Sequence, residues 1–379
     1  MEYTRILNPF TYLKKKSFFL FGPRSTGKTW LIKKLLPPKG GIYINLLSSD
    51  TFLRLAKEPG LVQDMAEGHD FVIIDEIQRL PILLNEVQDI IESKGTKFLL
   101  TGSSARRLKR ENANLLGGRA GELHLYPLTT REIPKFNLEK YLMRGGIPRI
   151  YSSNEPEMEL EAYVATYLEQ EIKIEANVRR LEPFGRFLKS AALCNGELLN
   201  FSNVASDSEV PSSTVREYYS ILEDTLMGFF LEPWLESKKR KAIQTPKFYF
   251  FDPGVCHFIL GVKALERNSN LWGKAFEQFL AMEIKAYLSY HQRRKKLYFW
   301  RNISKHEVDF IIDDEIAIEV KSTKKVLGRH LLGLKALKEE GIVKKLLLVS
   351  EDKMERTSEG IRILHWRTFL DELWDGKLA

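Results

Sequence analysis

Gly22-Pro23-Arg24-Ser25-Thr26-Gly27-Lys28-Thr29 is the stretch that decides how this chain reads. It fills the pattern G-x-x-x-x-G-K-[ST] at every position. The apolar run Ser17–Phe21 precedes it and the helix-forming run Thr29–Leu36 follows, closed by Pro37 and Pro38. A phosphate-binding loop has to sit between a strand and a helix in this way. The glycines let the backbone turn tightly, so that successive N–H groups point at one centre. The helix adds the positive end of its dipole. In such a loop Lys28 reaches the β- and γ-phosphates, and the Thr29 hydroxyl joins the shell of Mg²⁺. The bland alternative is a chance glycine-rich turn. Ordinary residue frequencies make that on the order of one in a hundred for a chain of this length. ATP is the expected ligand and Mg²⁺ the expected cofactor.

Working outward, Phe71-Val72-Ile73-Ile74-Asp75-Glu76 is an apolar strand ending in two carboxylates. Ligands gather at that end of strands in open α/β sheets. Asp75 is the candidate for the metal shell and Glu76 for the general base on the attacking water. Alone, such a strand end is ordinary surface; beside the loop it is the other half of one site. Lys97–Leu100 is a further strand, tipped by Thr101-Gly102-Ser103-Ser104. Ser103 or Thr101 could hydrogen-bond the γ-phosphate, although Thr-Gly-Ser-Ser is also plain turn chemistry. Arg119 could serve as an arginine finger, or be one of many solvated arginines. With Gly41–Asn45 as another strand, the first third reads as a parallel sheet with helices on both faces.

The 379 residues suit two or three domains. With 44% hydrophobic and 28% charged residues the composition is that of a soluble globular protein. The net charge of +8 and pI of about 9.1 favour polyanionic partners mildly. Cys194 and Cys256 cannot make a disulfide framework and lack zinc-site spacing. A reducing compartment follows. Met1–Phe10 has no signal-peptide pattern, and no apolar run is long enough to span a bilayer. The expected location is the cytoplasm, with no membrane contact.

Beyond about Leu138 the pattern changes. Tyr163–Val178, Phe184–Leu193, Asn200–Ser206 and Ser213–Glu223 read as helices, and Phe248–Asp252 as a strand. Phe184–Trp234 fits a winged helix-turn-helix. Ser212 or Ser213 would cap the recognition helix, Val215, Tyr219 and Leu222 would pack inward, and Arg216 and Tyr218 would face out. Lys238-Lys239-Arg240-Lys241 would lie in the wing and meet phosphates. A solvated loop on a helical packing module is the alternative.

The last third begins with a helix, Phe276–Tyr287, followed by strands at Leu297–Trp300, Val308–Ile312, Ile316–Val320 and Lys345–Val349. Asp313-Asp314-Glu315 joins the middle pair as a hairpin turn. Alternation puts Ala317, Glu319 and Lys321 on one face, with Asp309 across from them. This resembles the D…E-x-K core of PD-(D/E)XK nucleases, although Val308 stands where that core has proline. In that chemistry Asp309 and Glu319 hold a divalent metal and Lys321 positions the water. Glu277 could complete the acidic set.

The segment from Phe18 to about Glu132 resembles an AAA+ ATPase module. More narrowly, the chain is similar to a bacterial and archaeal family of predicted ATPases that joins this module to a C-terminal domain of unknown function with a nuclease-like fold. The matching residues are GPRSTGKT, IIDEIQRLP, LLTGSSARRL, LLGGRAGELHLYPLTTRE, YLMRGGIPR, EVDFII and IAIEVKST. The resemblance implies that Ser103 is the sensor and that Arg119 is a finger supplied by a neighbouring subunit, hence a homo-oligomer. Arg149 stands where the family has an acidic or small residue, so no second sensor is assigned. The expected architecture is an AAA+ core over residues 1–137, a helical and winged-helix-like domain over 138–265, and a PD-(D/E)XK-like α/β domain over 266–379. The expected function is ATP hydrolysis coupled to DNA binding or processing. A nucleotide-switched scaffold that recruits a protein partner and an ATP-gated metal-dependent nuclease are the other readings.

Overall fold

The structure is a computed structural model that describes residues 2–36, 40–104, 106, 108, 115–175, 178 and 180–378. Two compact units interleave along the chain. The first comprises Met1–Leu128, Ile147–Leu181 and Glu217–Met227; the second comprises Thr129–Gly146, Glu182–Arg216 and Gly228–Ala379.

In the first unit a short helix, α1 (Pro9–Leu13), leads into β1 (Ser17–Phe21), the phosphate-loop segment and α2 (Lys28–Leu35). The prolines expected to stop α2 lie outside the described residues. Then come β2 (Gly41–Asn45), α3 (Ser49–Lys57), α4 (Leu61–Ala66), β3 (Phe71–Asp75), α5 (Leu83–Lys94), β4 (Lys97–Gly102) and β5 (Ala120–His124). The five strands form one parallel sheet in the order β2-β3-β4-β1-β5. Their apolar runs are continuous because both faces are covered. Phe19, Phe21, Val72, Ile74, Phe98 and Leu100 pack with Leu55, Val62, Leu84, Val87 and Ile90 of the helices. Each such side chain contributes roughly 1.5–3 kcal/mol. With β4 seated between β1 and β3, the C-terminal ends of three neighbouring strands bring the loop, Asp75 and Thr101 to one edge.

After α6 (Leu138–Arg144), which belongs to the second unit, the first unit resumes with α7 (Pro148–Ser152) and α8 (Pro156–Tyr167). The helix expected over 163–178 is instead the end of α8 followed by a π-helical stretch, Leu168–Glu175. Periodicity cannot separate the two, since one inserted residue per turn rotates the face without ending the helix. Tyr167 is buried and shares a 3.0 Å hydrogen bond with Thr225.

The second unit holds α9 (Leu181–Leu193), α10 (Phe201–Ser208) and the start of α11 (Ser212–Asp224), then β6 (Gly228–Pro233), β7 (Lys247–Phe250), α12 (Pro253–Leu260) and the long α13 (Asn270–Tyr290). It continues with β8 (Leu297–Arg301), β9 (Glu307–Ile312), β10 (Ile316–Lys321), α14 (Leu332–Lys338), β11 (Lys345–Ser350), β12 (Arg356–Ser358), β13 (Ile361–His365) and α15 (Trp366–Trp374). Eight strands form a mixed sheet in the order β12-β13-β11-β10-β9-β8-β6-β7. The expected hairpin is present, with Ile312 opposite Ile316 and Phe310 opposite Ile318.

The Gly145-Gly146 pair has a physical cause. Gly145 has φ of +76°, and a Cβ there would lie 1.8 Å from Asp252 Oδ1. Asp252 accepts from Gly146 N at 2.7 Å and caps α12 through Val255 N at 3.1 Å. The chain is thus α/β, with a parallel-sheet unit, a helical region and a C-terminal mixed sheet. Among the described residues no helix is long and apolar enough to cross a membrane.

Candidate functional site

The loop after β1 is built on backbone that few residue types tolerate. Ser25 and Gly27 both take positive φ, 59° and 93°. A Cβ on Gly22 would lie 2.5 Å from Leu125 O. The Thr26 hydroxyl donates to Pro23 O at 2.8 Å. From behind, Arg5 donates to Thr26 O at 2.8 Å and to Tyr126 O at 2.6 Å. Lys28 opens α2 and is buried. Its ammonium lies over the loop, donating to Gly22 O at 2.7 Å and Pro23 O at 3.2 Å. Burial lowers its pKa, and Glu76, Glu171 and Asp75 oppose that shift.

Asp75 is fully buried at the end of β3. It accepts hydrogen bonds from the Thr29 hydroxyl at 2.8 Å, from Thr101 and from Tyr43. Tyr43 is held well above the ordinary tyrosine range, first by burial and then by this bond to Asp75. Glu76 follows in a left-handed conformation, φ 63° and ψ 48°, a strained turn for a residue with a side chain. Its N–H donates to the Thr101 hydroxyl at 3.0 Å, and its carboxylate accepts from Gln78 Nε2 at 2.5 Å. Thr101 therefore braces both carboxylate residues.

Ser103 is buried at the tip of β4. It accepts from Gln78 Nε2 at 3.1 Å and donates to Glu171 Oε1 at 2.9 Å. Glu171 also accepts from Arg24 of the loop. The structure thus brings Arg24, Lys28, Thr29, Asp75, Glu76 and Ser103 to one edge of the sheet. Arg119 is on the surface of the same unit, its guanidinium 2.8 Å from Glu92 of α5. A cleft of about 510 Å³ opens there between the loop and helices α7 and α8. Lys28, Thr29 and Glu76 line one side, and Ile147, Ile150 and Tyr163 the other. Gln78, Tyr43, Glu171 and Arg5 escaped the sequence reading. Gln78 alone carried a signal, as a polar residue two places after Glu76.

In the second unit Asp309, Glu319, Lys321 and Glu277 also meet, together with Lys247, Tyr249 and Glu307, which sequence reading missed. Lys247 is buried, 2.6 Å from Glu307 and 3.5 Å from Glu277. Tyr249 donates to Glu277. Asp309 accepts from Val320 N at 2.7 Å, and Lys321 pairs with Glu319 at 2.5 Å. Burial, then the neighbouring Glu277, pushes Asp309 up to about 7. Burial and Asp309 raise Glu319 well above the usual range. Among the described residues no three carboxylates, imidazoles or thiols are arranged to hold a metal ion. Lys247 and Lys321 balance the charge of these carboxylates.

The middle segment has the two expected helices. Glu209 turns the chain with φ of 55°. Val215, Tyr219 and Leu222 are buried and Arg216 is exposed, its guanidinium 4.2 Å from the centre of the Phe201 ring. Two details need correction. Tyr218, expected outside, is 8% exposed, because Tyr218, Tyr219, Ile221 and Leu222 widen the buried arc. Ser212 and Ser213 lie within the first turn, which begins from Pro211 O. Nor is the basic run a free wing. The backbone N–H groups of Lys238 and Lys239 donate to Glu340, and Arg240 binds both Glu339 and Glu340.

Comparison with known proteins agrees with the first unit. Residues 14–134 match an AAA domain. Residues 135–266 and 272–369 match two domains of unknown function, DUF8612 and DUF4143. The chain therefore carries an AAA ATPase domain at its N-terminus and a DUF4143 domain at its C-terminus. It is 28% identical over 307 residues to uncharacterized proteins of Mycobacterium bovis and Mycobacterium tuberculosis, a match covering 78% of this chain and 67% of each of them. An uncharacterized protein of Haemophilus influenzae is 26% identical over 230 residues, 55% of this chain and 57% of that one. Domain III of the replication initiation protein DnaA from Thermotoga maritima is 15% identical, with a TM-score of 0.25 over 57% of this chain and 88% of that one. An overlap that slight carries no argument.

Proposed function

We propose that the chain hydrolyses ATP at the edge where β1, β3 and β4 end. The observation that carries this is the meeting of the Thr29 hydroxyl and the buried Asp75 carboxylate at 2.8 Å beside the loop lysine. Hydroxyl and carboxylate oxygens are the ligands that Mg²⁺ takes, so Thr29 and Asp75 would hold it, and it would neutralise charge on the phosphate oxygens. The N–H groups from Arg24 to Thr29 orient the phosphates, with Lys28 supplying the charge. Glu76 takes the proton of the attacking water, and Gln78 and Thr101 fix its direction. Steady-state turnover of Mg·ATP by the full chain tests this. Lys28→Ala should lose nucleotide affinity. Glu76→Gln should bind ATP and turn it over about 10²–10⁴-fold more slowly. Unchanged turnover in Glu76→Gln sinks the assignment.

The finer reading is three modules, over 1–137, 138–265 and 266–379, acting in the cytoplasm as a homo-oligomer on DNA. The exposed Arg216 on α11 and the net charge of +8 favour DNA as the partner. The scaffold reading, in which a protein partner replaces DNA, draws its support from Glu339 and Glu340, which occupy the basic run. Anisotropy titrations of labelled duplex and single strand across a salt series separate the two. Steep salt dependence favours DNA, and no measurable affinity favours the protein partner.

A further inference from the structure

A carboxylate from outside the sheet controls two groups at the phosphate edge. Glu171 lies in the π-helical stretch Leu168–Glu175 and is 1% exposed. One of its oxygens, Oε1, accepts from both Arg24 of the loop and the Ser103 hydroxyl. The other, Oε2, is buried without a partner. A buried carboxylate oxygen left unpaired works against folding by about 1–3 kcal/mol or more, and π-helical turns gather at functional places. The chain of bonds continues. Gln78 Nε2 donates to Ser103 Oγ at 3.1 Å and to Glu76 at 2.5 Å. An unbroken hydrogen-bonded path therefore runs from Arg24 through Glu171, Ser103 and Gln78 to Glu76.

We propose that Glu171 is a positioning residue that couples occupancy of the phosphate loop to the orientation of Glu76. Glu171 is an internal anion that holds the Arg24 guanidinium and takes the Ser103 proton. A phosphate in the loop is a second anion competing for the same guanidinium. When Arg24 turns to phosphate, Glu171 loses its countercharge, and the hydrogen bond that remains to it, from Ser103, tightens. Ser103 in turn is fixed as the acceptor for Gln78, which holds Glu76 in line. The water-directed carboxylate is thereby fully aligned only once a phosphate arrives. This rests on the ATPase reading, because it assigns Glu76 the proton transfer.

The test compares wild type, Glu171→Gln and Glu171→Ala as full chains. A fluorescent non-hydrolysable ATP analogue gives Kd, and saturating Mg·ATP gives kcat. Glu171→Ala should bind the analogue about tenfold more tightly, since the pair between Arg24 and Glu171 no longer has to open. Its kcat should fall by about tenfold, because Ser103 and Gln78 lose their anchor and Glu76 loses its alignment. Glu171→Gln keeps an acceptor for both donors and drops the charge, so its binding should tighten while kcat returns close to wild type. That opposed movement of Kd and kcat, with recovery by the amide, is the expected result. Unchanged affinity in both variants overturns the proposal. So does joint loss of affinity and turnover with a lowered Tm, which is what a purely structural glutamate gives. A wild type without turnover removes the ATPase reading, and the analogue titration then still decides whether Glu171 opposes nucleotide binding.

Discussion

Glu283 shows what one buried carboxylate does to the whole stability curve. It sits in α13, accepting hydrogen bonds from Thr130 N at 2.7 Å, the Thr130 hydroxyl at 3.1 Å and Trp374 Nε1 at 2.7 Å. Burial outweighs these bonds and raises its pKa from 4.5 to about 7. Between those values the folded chain keeps a proton that the unfolded chain has released. Its contribution is therefore fully present below about 4.5 and is lost as pH rises through about 7, by roughly 3 kcal/mol. Glu283→Gln keeps one acceptor oxygen, leaves either Thr130 N or Trp374 Nε1 facing its amide NH2, and removes the titration. Urea unfolding at about pH 5 and about pH 8 should show a smaller fall in the variant than in wild type. An identical fall assigns the slope to other groups. No sequence pattern marks Glu283, since its partners come from residues 130 and 374. Lys28 and Thr29, and likewise Asp75 and Glu76, were legible because each pair sits in a short contiguous motif. Glu171 was not, because it lies 68 residues from Ser103 on a stretch whose face a π-helical turn rotates.

Strands carried their own evidence better than the helices did. The β9–β10 pair could be aligned from alternation alone, since a period of two admits one assignment of faces. Four strands, β5, β6, β12 and β13, stayed hidden, β12 having only three residues. The α11 helix gave up its buried stripe except at Tyr218, where two adjacent tyrosines exceed a single helical face. The strand read over Phe248–Asp252 is β7, which begins one residue earlier, at Lys247, and pairs with β6. It delivers Lys247 between Glu277 and Glu307, and burial, which disfavours the ammonium, is outweighed by Glu277, Glu307 and Asp309, so its pKa is raised. Removing one member of such a set leaves uncompensated charge. Lys247→Met should thus lower the unfolding free energy near neutral pH by about 3 kcal/mol, read from the urea midpoint at unchanged m-value. The loss should shrink in acid, where the carboxylates take up protons. A variant as stable as wild type at neutral pH would show that Arg301, 2.9 Å from Glu307, and Lys321 suffice.

At the scale of the molecule, the phosphate edge is not complete within the first 137 residues. The unit that contains it also draws on Ile147–Leu181 and Glu217–Met227. Those segments supply Glu171 to Arg24 and Ser103, and Asp224 to Arg106 at 3.0 Å. A fragment of residues 1–137 should therefore expose apolar surface and unfold without a sharp transition, read by dye binding and calorimetry. Cooperative melting of that fragment would show that the later segments are dispensable. Arg119 raises the converse question, whether one chain is enough. It pairs with Glu92 on the surface, both side chains being well exposed, and such pairs hold by only about 0–1 kcal/mol. Arg119 can therefore leave Glu92 cheaply for a phosphate bound by a neighbouring copy. If it does, Arg119→Ala and Lys28→Ala chains are each deficient alone but complementary when mixed. The first still binds ATP, and the second still offers an arginine. Turnover of the mixture should exceed the sum of the two alone, and the wild-type rate per chain should rise with protein concentration. A mixture no faster than that sum, with a concentration-independent wild-type rate, would place Arg119 with the solvated arginines.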